Sequence, residues 1–287
     1  MYNCSDIKCF VYGAGIQGRE IAFRLKKYGY NCLGFIDKSG EVKETDGLNV
    51  IHPDELSGYD YDKIFIGSVI HSDSMEKALI DMGVPTKKID KSFISVPAGA
   101  RRLFIESFNI QIKNISGAIA ELGVYRGDFS KELNEVFSED LYLFDTFTGV
   151  DQRDIEPEDD ETKKNIQCGC MGNTSAELVM SRMKNPDRVK IISGYFPETA
   201  ELIENDIKYK FVYLDVDLYK PTISGLYYFS EHLADGGCIL VDDYFDYIFG
   251  SSIKKAVSEF LKVQESKGIF WTSIPIGDGT SLALIKR

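Results

Sequence analysis

The chain has 287 residues, 44% hydrophobic and 27% charged, a balance typical of a water-soluble globular protein with one large or two modest domains. Its 33 basic and 45 acidic residues leave a net charge of −12, which argues against the basic face needed to grip nucleic acid or anionic lipid. No apolar run approaches the roughly 20 residues of a membrane span. Met1-Tyr2-Asn3-Cys4-Ser5-Asp6 carries neither the basic nor the apolar part of a secretory leader, so a cytoplasmic location with six free cysteines is expected.

In chain order, residues 7–12 are apolar and β-prone, Gly13-Ala14-Gly15-Ile16-Gln17-Gly18 follows as a turn, and residues 20–28 have helical periodicity. Residues 33–36 form a second predicted strand ending at Asp37. Residues 63–66 form a third, followed by a helix over 73–82. Strands alternating with helices imply a parallel sheet covered by helices. This first unit is expected to span residues 1–96, ending near Val96-Pro97, with a helix over 98–110 leading into a second unit, residues 97–287.

In the second unit, strands are predicted at 118–122, 141–144, 189–192, 211–214 and 238–241, with helices at 129–137, 175–183, 222–232 and 252–265. Residues 269–274 and 281–285 flank Gly277-Asp278-Gly279 and read as a hairpin, so the last strand runs antiparallel. A parallel α/β sheet closed this way differs from a dinucleotide fold, which has a sixth parallel strand. The acidic stretch 151–162 has no helical period and contains a proline, and is read as a loop, either a solvated surface or a lid. Cys168-Gly169-Cys170 lacks a second Cys/His pair and reads as two loop thiols.

Three groups of residues carry chemistry. Glu121-Leu122-Gly123-Val124-Tyr125-Arg126-Gly127 lies where a strand turns into a helix, and glycines there let a ligand approach the backbone. Asp145 ends the next strand 18 residues beyond Gly127, a spacing suited to accepting ribose hydroxyls, although it could equally cap the following turn. The sharpest group is Asp215-Val216-Asp217 after one strand and Asp242-Asp243-Tyr244 after the next. Four carboxylates at neighbouring strand ends would repel one another unless a hard divalent cation such as Mg²⁺ joined them. The alternative is a set of helix caps.

Asp215-Val216-Asp217-Leu218-Tyr219 with Asp242-Asp243-Tyr244 resembles the signature of the macrocin-type sugar O-methyltransferases. The Glu121–Gly127 motif, Asp145-Thr146-Phe147-Thr148-Gly149 and Gly194-Tyr195-Phe196-Pro197-Glu198-Thr199 resemble further family motifs, and the match covers residues 98–287. The resemblance implies a class I methyltransferase Rossmann-like fold that uses S-adenosylmethionine and Mg²⁺ to methylate a hydroxyl of a sugar, glycan or nucleotide-sugar-linked acceptor. It implies Asp215, Asp242 and Asp243 as metal ligands, with Asp217 the general base and Asp215 beside it in catalysis. Glu121, Gly123, Tyr125, Arg126, Gly127, Asp145, Thr146, Phe147, Gly194, Tyr195 and Phe196 would contact the cofactor. The expected partners are a small-molecule or glycan substrate and further copies of the chain.

In the first unit Asp37 lies 19 residues after Gly18, a spacing suited to a nucleotide site formed by Gly13, Gly15, Gln17, Gly18 and Asp37. This unit resembles small nucleotide-sugar-binding Rossmann-like domains, and it is too short to hold both halves of a complete NAD site. A nucleotide-sugar or NAD-binding oxidoreductase, or a binding protein using the glycine motif, is the competing reading.

Overall fold

A computed structural model describes residues 6–40, 42–69, 71–246 and 249–287, leaving aside the side chains of residues 97 and 98. The chain divides into two compact units, Met1–Gly99 and Ala100–Arg287.

In the first unit, β1 (Lys8–Tyr12), α1 (Ile16–Lys27), β2 (Asn31–Ile36), β3 (Glu44–Thr45), β4 (Leu48–Ile51), β5 (Lys63–Ile66), α2 (Ser72–Asp81) and β6 (Ile89–Asp90) follow one another. The sheet order is β3-β4-β2-β1-β5-β6, parallel except for the β3–β4 pair. Alternation along β1 sends Cys9 and Val11 to the core shared with Ile21, Ala22 and Leu25 of α1, and Phe10 and Tyr12 to the core containing Leu79 of α2. Helix α3 (Ser92–Gln111) begins before the predicted helix and continues past position 97, where a break was expected.

The second unit continues with β7 (Ala118–Leu122), α4 (Asp128–Val136), β8 (Leu141–Asp145), α5 (Gln152–Ile155), α6 (Asp160–Asn165), α7 (Ala176–Ser181) and β9 (Val189–Ser193). It closes with β10 (Tyr209–Leu214), α8 (Tyr219–His232), β11 (Leu233–Val241), α9 (Gly250–Ser266), β12 (Trp271–Pro275) and β13 (Leu282–Lys286). The sheet order is β12-β13-β11-β10-β7-β8-β9. Only β13 opposes its neighbours, pairing antiparallel with both β11 and β12, so the expected class I methyltransferase sheet with a reversed last strand is present. Along β10, Phe211 and Tyr213 enter one core and Val212 and Leu214 the other, which buries the strand on both faces.

The acidic stretch departs from the predicted loop. Asp151 and Asp159 cap α5 and α6 by accepting backbone N–H groups of Arg153 and Thr162. Glu158, buried between them, accepts from Tyr219 N at the start of α8 (2.6 Å) and from the Ser252 hydroxyl of α9. Capping and one buried carboxylate thus fix a segment whose composition reads as solvated.

Candidate active site

Strand register sets the site. Leu214 of β10 lies level with Leu122 of β7 and Val241 of β11, so the residues that follow these strands form one row. The row is hydrogen-bonded: Asp215 N donates to Leu122 O, Asp242 N to Leu214 O and Gly123 N to Phe144 O, each at 2.9 Å. Gly123 has φ +88°, and a Cβ there would lie 1.8 Å from Asp215 O, so no side chain fits between the two strand ends.

A cavity of about 930 Å³, counting its open mouth, lies along this edge. Gly123, Tyr125, Asp145, Thr146, Gly194, Tyr195, Phe196, Asp215 and Asp217 line it, joined by Asp151, Asp154 and Met171. Asp145 is fixed by the glycine turn: Oδ2 accepts from Val124 N (2.7 Å) and Tyr125 N (2.9 Å), and Oδ1 from Phe147 N (2.7 Å). Oδ2 is filled by its two amides, and Oδ1 keeps capacity for a ligand hydroxyl. Just past the end of β9 the Tyr195 hydroxyl donates to Asp154 Oδ1 (2.6 Å), and the Arg153 guanidinium lies 3.6 Å from the centre of the Tyr195 ring. Burial raises the Asp154 carboxyl above its ordinary range.

Other residues assigned to the cofactor lie outside the cavity lining. Glu121 is 1% exposed and bonded to the Ser130 hydroxyl, and burial raises its pKa well above the usual range. Gly127 precedes α4 in a left-handed conformation, with Val179 where a side chain would go. Phe147 packs against the core that takes Phe211 and Tyr213, and Arg126 keeps a buried Nε that has no hydrogen-bond partner among the described residues.

Asp215, Asp217 and Asp243 each offer one carboxylate oxygen, and these oxygens lie within 4.8 Å of one another. Asp217 and Asp243 have φ of +57° and +53°, a left-handed conformation that Asp tolerates better than most residues. Leu218 N bonds Val216 O (2.6 Å), closing a three-residue turn about Asp217. Burial and neighbouring carboxylates raise Asp215 and Asp243 well above the usual range. Burial also lifts Asp217 to about 6, against a hydrogen bond with Asp243 that lowers it. Three partly buried oxygen donors in mutual repulsion fit a hard divalent cation.

Asp242, assigned to the metal from sequence, is engaged elsewhere. Its oxygens accept from Tyr213 OH (2.5 Å), Ser281 Oγ (2.7 Å) and Thr280 Oγ1 (3.0 Å) and pair with Arg101 Nη1 (2.9 Å). Arg101 also reaches Asp278 Oδ2 (3.1 Å) and donates to Tyr213 OH (2.6 Å). Burial raises the Asp242 carboxyl, but Arg101 and these donors outweigh it and hold it low. Asp217 thus lies with Asp215 and Asp243 in the carboxylate group, while Asp242 lies in the Arg101 network. Arg101, Tyr213, Asp278 and Ser281 were missed from sequence. The cue was Asp278 in the glycine turn, whose partner lies 177 positions away.

In the first unit Asp37 accepts from Ala14 N (3.1 Å) and Ser39 N (2.9 Å), while Gln17 Oε1 takes Val69 N (3.0 Å). A Cβ on Gly18 would lie 1.9 Å from Gly13 O, and Gly15 has open space around it. Of the five residues assigned there, Asp37 lines a cavity with Tyr12, Lys38, His71, Ser74 and Met75; Gly13, Gly15, Gln17 and Gly18 do not.

The Macrocin-O-methyltransferase (TylF) family model matches residues 99–270, and the C2185-like, N-terminal model matches residues 5–90. No curated protein matches the chain. The O-methyltransferase NovP is 23% identical with a TM-score of 0.53, over 65% of this chain and 79% of its own. CalS11, a calicheamicin methyltransferase, is 19% identical with a TM-score of 0.54, over 85% of this chain and 99% of its own. At these identities the two structures bear on the fold alone. Among the described residues no helix is long and apolar enough to cross a membrane.

Proposed function

This chain belongs to the macrocin O-methyltransferase family and is an S-adenosylmethionine-dependent O-methyltransferase; from that premise we propose that it methylates a sugar hydroxyl with the help of Mg²⁺. The observation that carries the metal reading is the convergence of Asp215, Asp217 and Asp243 at the ends of two adjacent strands. S-Adenosylmethionine supplies an electrophilic methyl group on a sulfonium, and a hard divalent ion lowers the pKa of a hydroxyl it coordinates.

The chain's own residues do the rest. Gly123, Tyr125, Asp145 and Thr146, which line the cavity, would cradle the nucleoside end of the cofactor, with Asp145 Oδ1 accepting a ribose hydroxyl. Gly194, Tyr195 and Phe196 line the same cavity beyond the end of β9. Asp215 and Asp243 would hold the cation, with the Asp217 carboxylate beside it. Asp217, whose carboxylate lies beside those of Asp215 and Asp243, would take the proton of the acceptor hydroxyl as a positioned general base. Arg101 keeps Asp242 charged and turned away, fixing the strand end that carries Asp243.

The test is calorimetry of S-adenosylmethionine binding with and without Mg²⁺, together with S-adenosylhomocysteine release on nucleoside-diphosphate sugars and simple glycosides. Turnover that needs Mg²⁺ and is lost in Asp215→Ala is expected. Full turnover in EDTA would sink the metal reading and leave the cofactor untouched, and a failure of every sugar would sink the acceptor class.

A further inference from the structure

The Asp215 carboxylate stands between two neighbours that make different use of it. One is the group of oxygen donors it forms with Asp217 and Asp243. The other is the Tyr213 hydroxyl, 3.3 Å from Asp215 Oδ2 and its one side-chain hydrogen-bond partner among the described residues. Tyr213 belongs to β10 two positions earlier, so the alternation of the strand sends both side chains to the same side. It is 0% exposed, with its ring centre 4.2 Å from that of Phe129, and packing therefore holds the phenol in place.

A phenol has one hydrogen to give, and here it faces two carboxylates. Asp242 Oδ2 lies at 2.5 Å and Asp215 Oδ2 at 3.3 Å, so the hydrogen goes to Asp242. Arg101 Nη1 donates to the phenol oxygen at 2.6 Å and pairs with Asp242 Oδ2 at 2.9 Å. Asp278, whose side chain is buried, takes the other edge of the guanidinium, its Oδ2 lying 3.1 Å from Arg101 Nε. The hydroxyl thus stands between Asp215 and the Asp242–Arg101 ion pair. It occupies a guanidinium N–H that, in a buried setting, would otherwise turn to the nearest carboxylate without a partner. That carboxylate is Asp215, and one drawn onto an arginine is lost to a metal ion.

We infer that Tyr213 is a positioning residue: its hydroxyl, held by Arg101, keeps Asp215 clear of the neighbouring ion pair and available to a divalent cation. The inference rests on the metal reading proposed above and adds the residue that sets how tightly the cation is held. Ser281 supplies a contrast within the same network. Its hydroxyl lies 2.7 Å from Asp242 Oδ1 and 2.6 Å from Asp278 Oδ2, and it makes no hydrogen bond to Asp215.

The experiment is calorimetry on the full-length protein, measuring Mg²⁺ and Mn²⁺ binding in saturating S-adenosylhomocysteine and, separately, S-adenosylhomocysteine binding without metal. Tyr213→Phe keeps the ring against Phe129 and removes only the hydroxyl. It should weaken both cations about 10–100-fold, the usual cost of losing a group that orients a metal ligand, and leave S-adenosylhomocysteine affinity unchanged. Ser281→Ala also takes a buried hydrogen bond from Asp242 and Asp278, but none from Asp215, and should bind the cations as the parent does. A parent that binds no cation would sink the metal reading and this inference with it. A parent that binds, beside a Tyr213→Phe that binds equally well, overturns the inference alone and leaves the metal reading standing. Equal weakening in both variants overturns it too, because the network would then act only by holding the fold together. So does a loss of S-adenosylhomocysteine binding in Tyr213→Phe, since the hydroxyl would then support the whole cavity and not Asp215.

Discussion

The two sheets start alike and end differently. Each has a strand, a glycine turn, a helix and a second strand, followed or closed by an aspartate that takes amides of the turn: Ala14 N for Asp37, Val124 N and Tyr125 N for Asp145. In the second unit the strand on the other side of β7 leads into carboxylates and the edge opens into the large cavity. In the first unit β5 leads into Gly67, where a Cβ would lie 2.7 Å from Tyr12 O, and the space shifts to the flank of α2. The shared motif fixes the turn. What the neighbouring strand carries at its end decides where a ligand can go.

The largest expected effect tests whether the carboxylate edge is the reactive one. Asp217→Asn should lower methyl transfer about 10²–10⁴-fold, the usual worth of a positioned base, with S-adenosylhomocysteine affinity changed only a few-fold. Retained turnover would remove Asp217 from the reaction. Next is Arg101→Met, which leaves Asp242 and Asp278 buried without their cation and should cost about 3–5 kcal/mol in urea unfolding. Adding Asp242→Asn should restore part of that loss.

Two glycine substitutions sharpen the comparison. Gly123→Ala meets the Asp215 carbonyl from a left-handed backbone and should cost about 2–5 kcal/mol, combining overpacking with the handedness penalty. Gly18→Ala meets the Gly13 carbonyl without that backbone cost, and about 1–3 kcal/mol is expected. If Gly18→Ala were neutral, the close packing of the first turn would not matter to the fold.

The smallest effect concerns pH. Burial raises Glu139, but the Lys210 ammonium at 2.5 Å outweighs it and holds the carboxyl below its ordinary range. Its folded pKa is thus below the unfolded value of about 4.3. The stabilisation is complete above that value and is lost as pH falls through the folded one. Glu139→Gln should flatten the acid side of a melting-temperature profile, and an unchanged slope would remove this pair as a cause.

Much of this was legible in the sequence because it is local. Apolar runs marked the central strands, glycines marked the turns, and two doublets marked the carboxylate edge. What stayed hidden depends on distant partners. Asp217 and Asp242 look equivalent in sequence, and only a left-handed turn at one and an arginine beside the other separate them. The acidic stretch reads as solvated until Glu158 meets the first amide of α8. The two-residue strands β3 and β6 exist through their neighbours and carry no period of their own.

The reversed strand β13 has a kinetic consequence. The turn before it delivers Asp278, Thr280 and Ser281 to Arg101 and Asp242, closing contacts 177, 179 and 39 positions apart. Contacts of such sequence separation form late, because chain entropy must be lost before they contribute. The carboxylate edge should therefore mature in a final step, after the parallel strands have paired. A refolding chain would regain its helical signal before it regains the ability to transfer a methyl group.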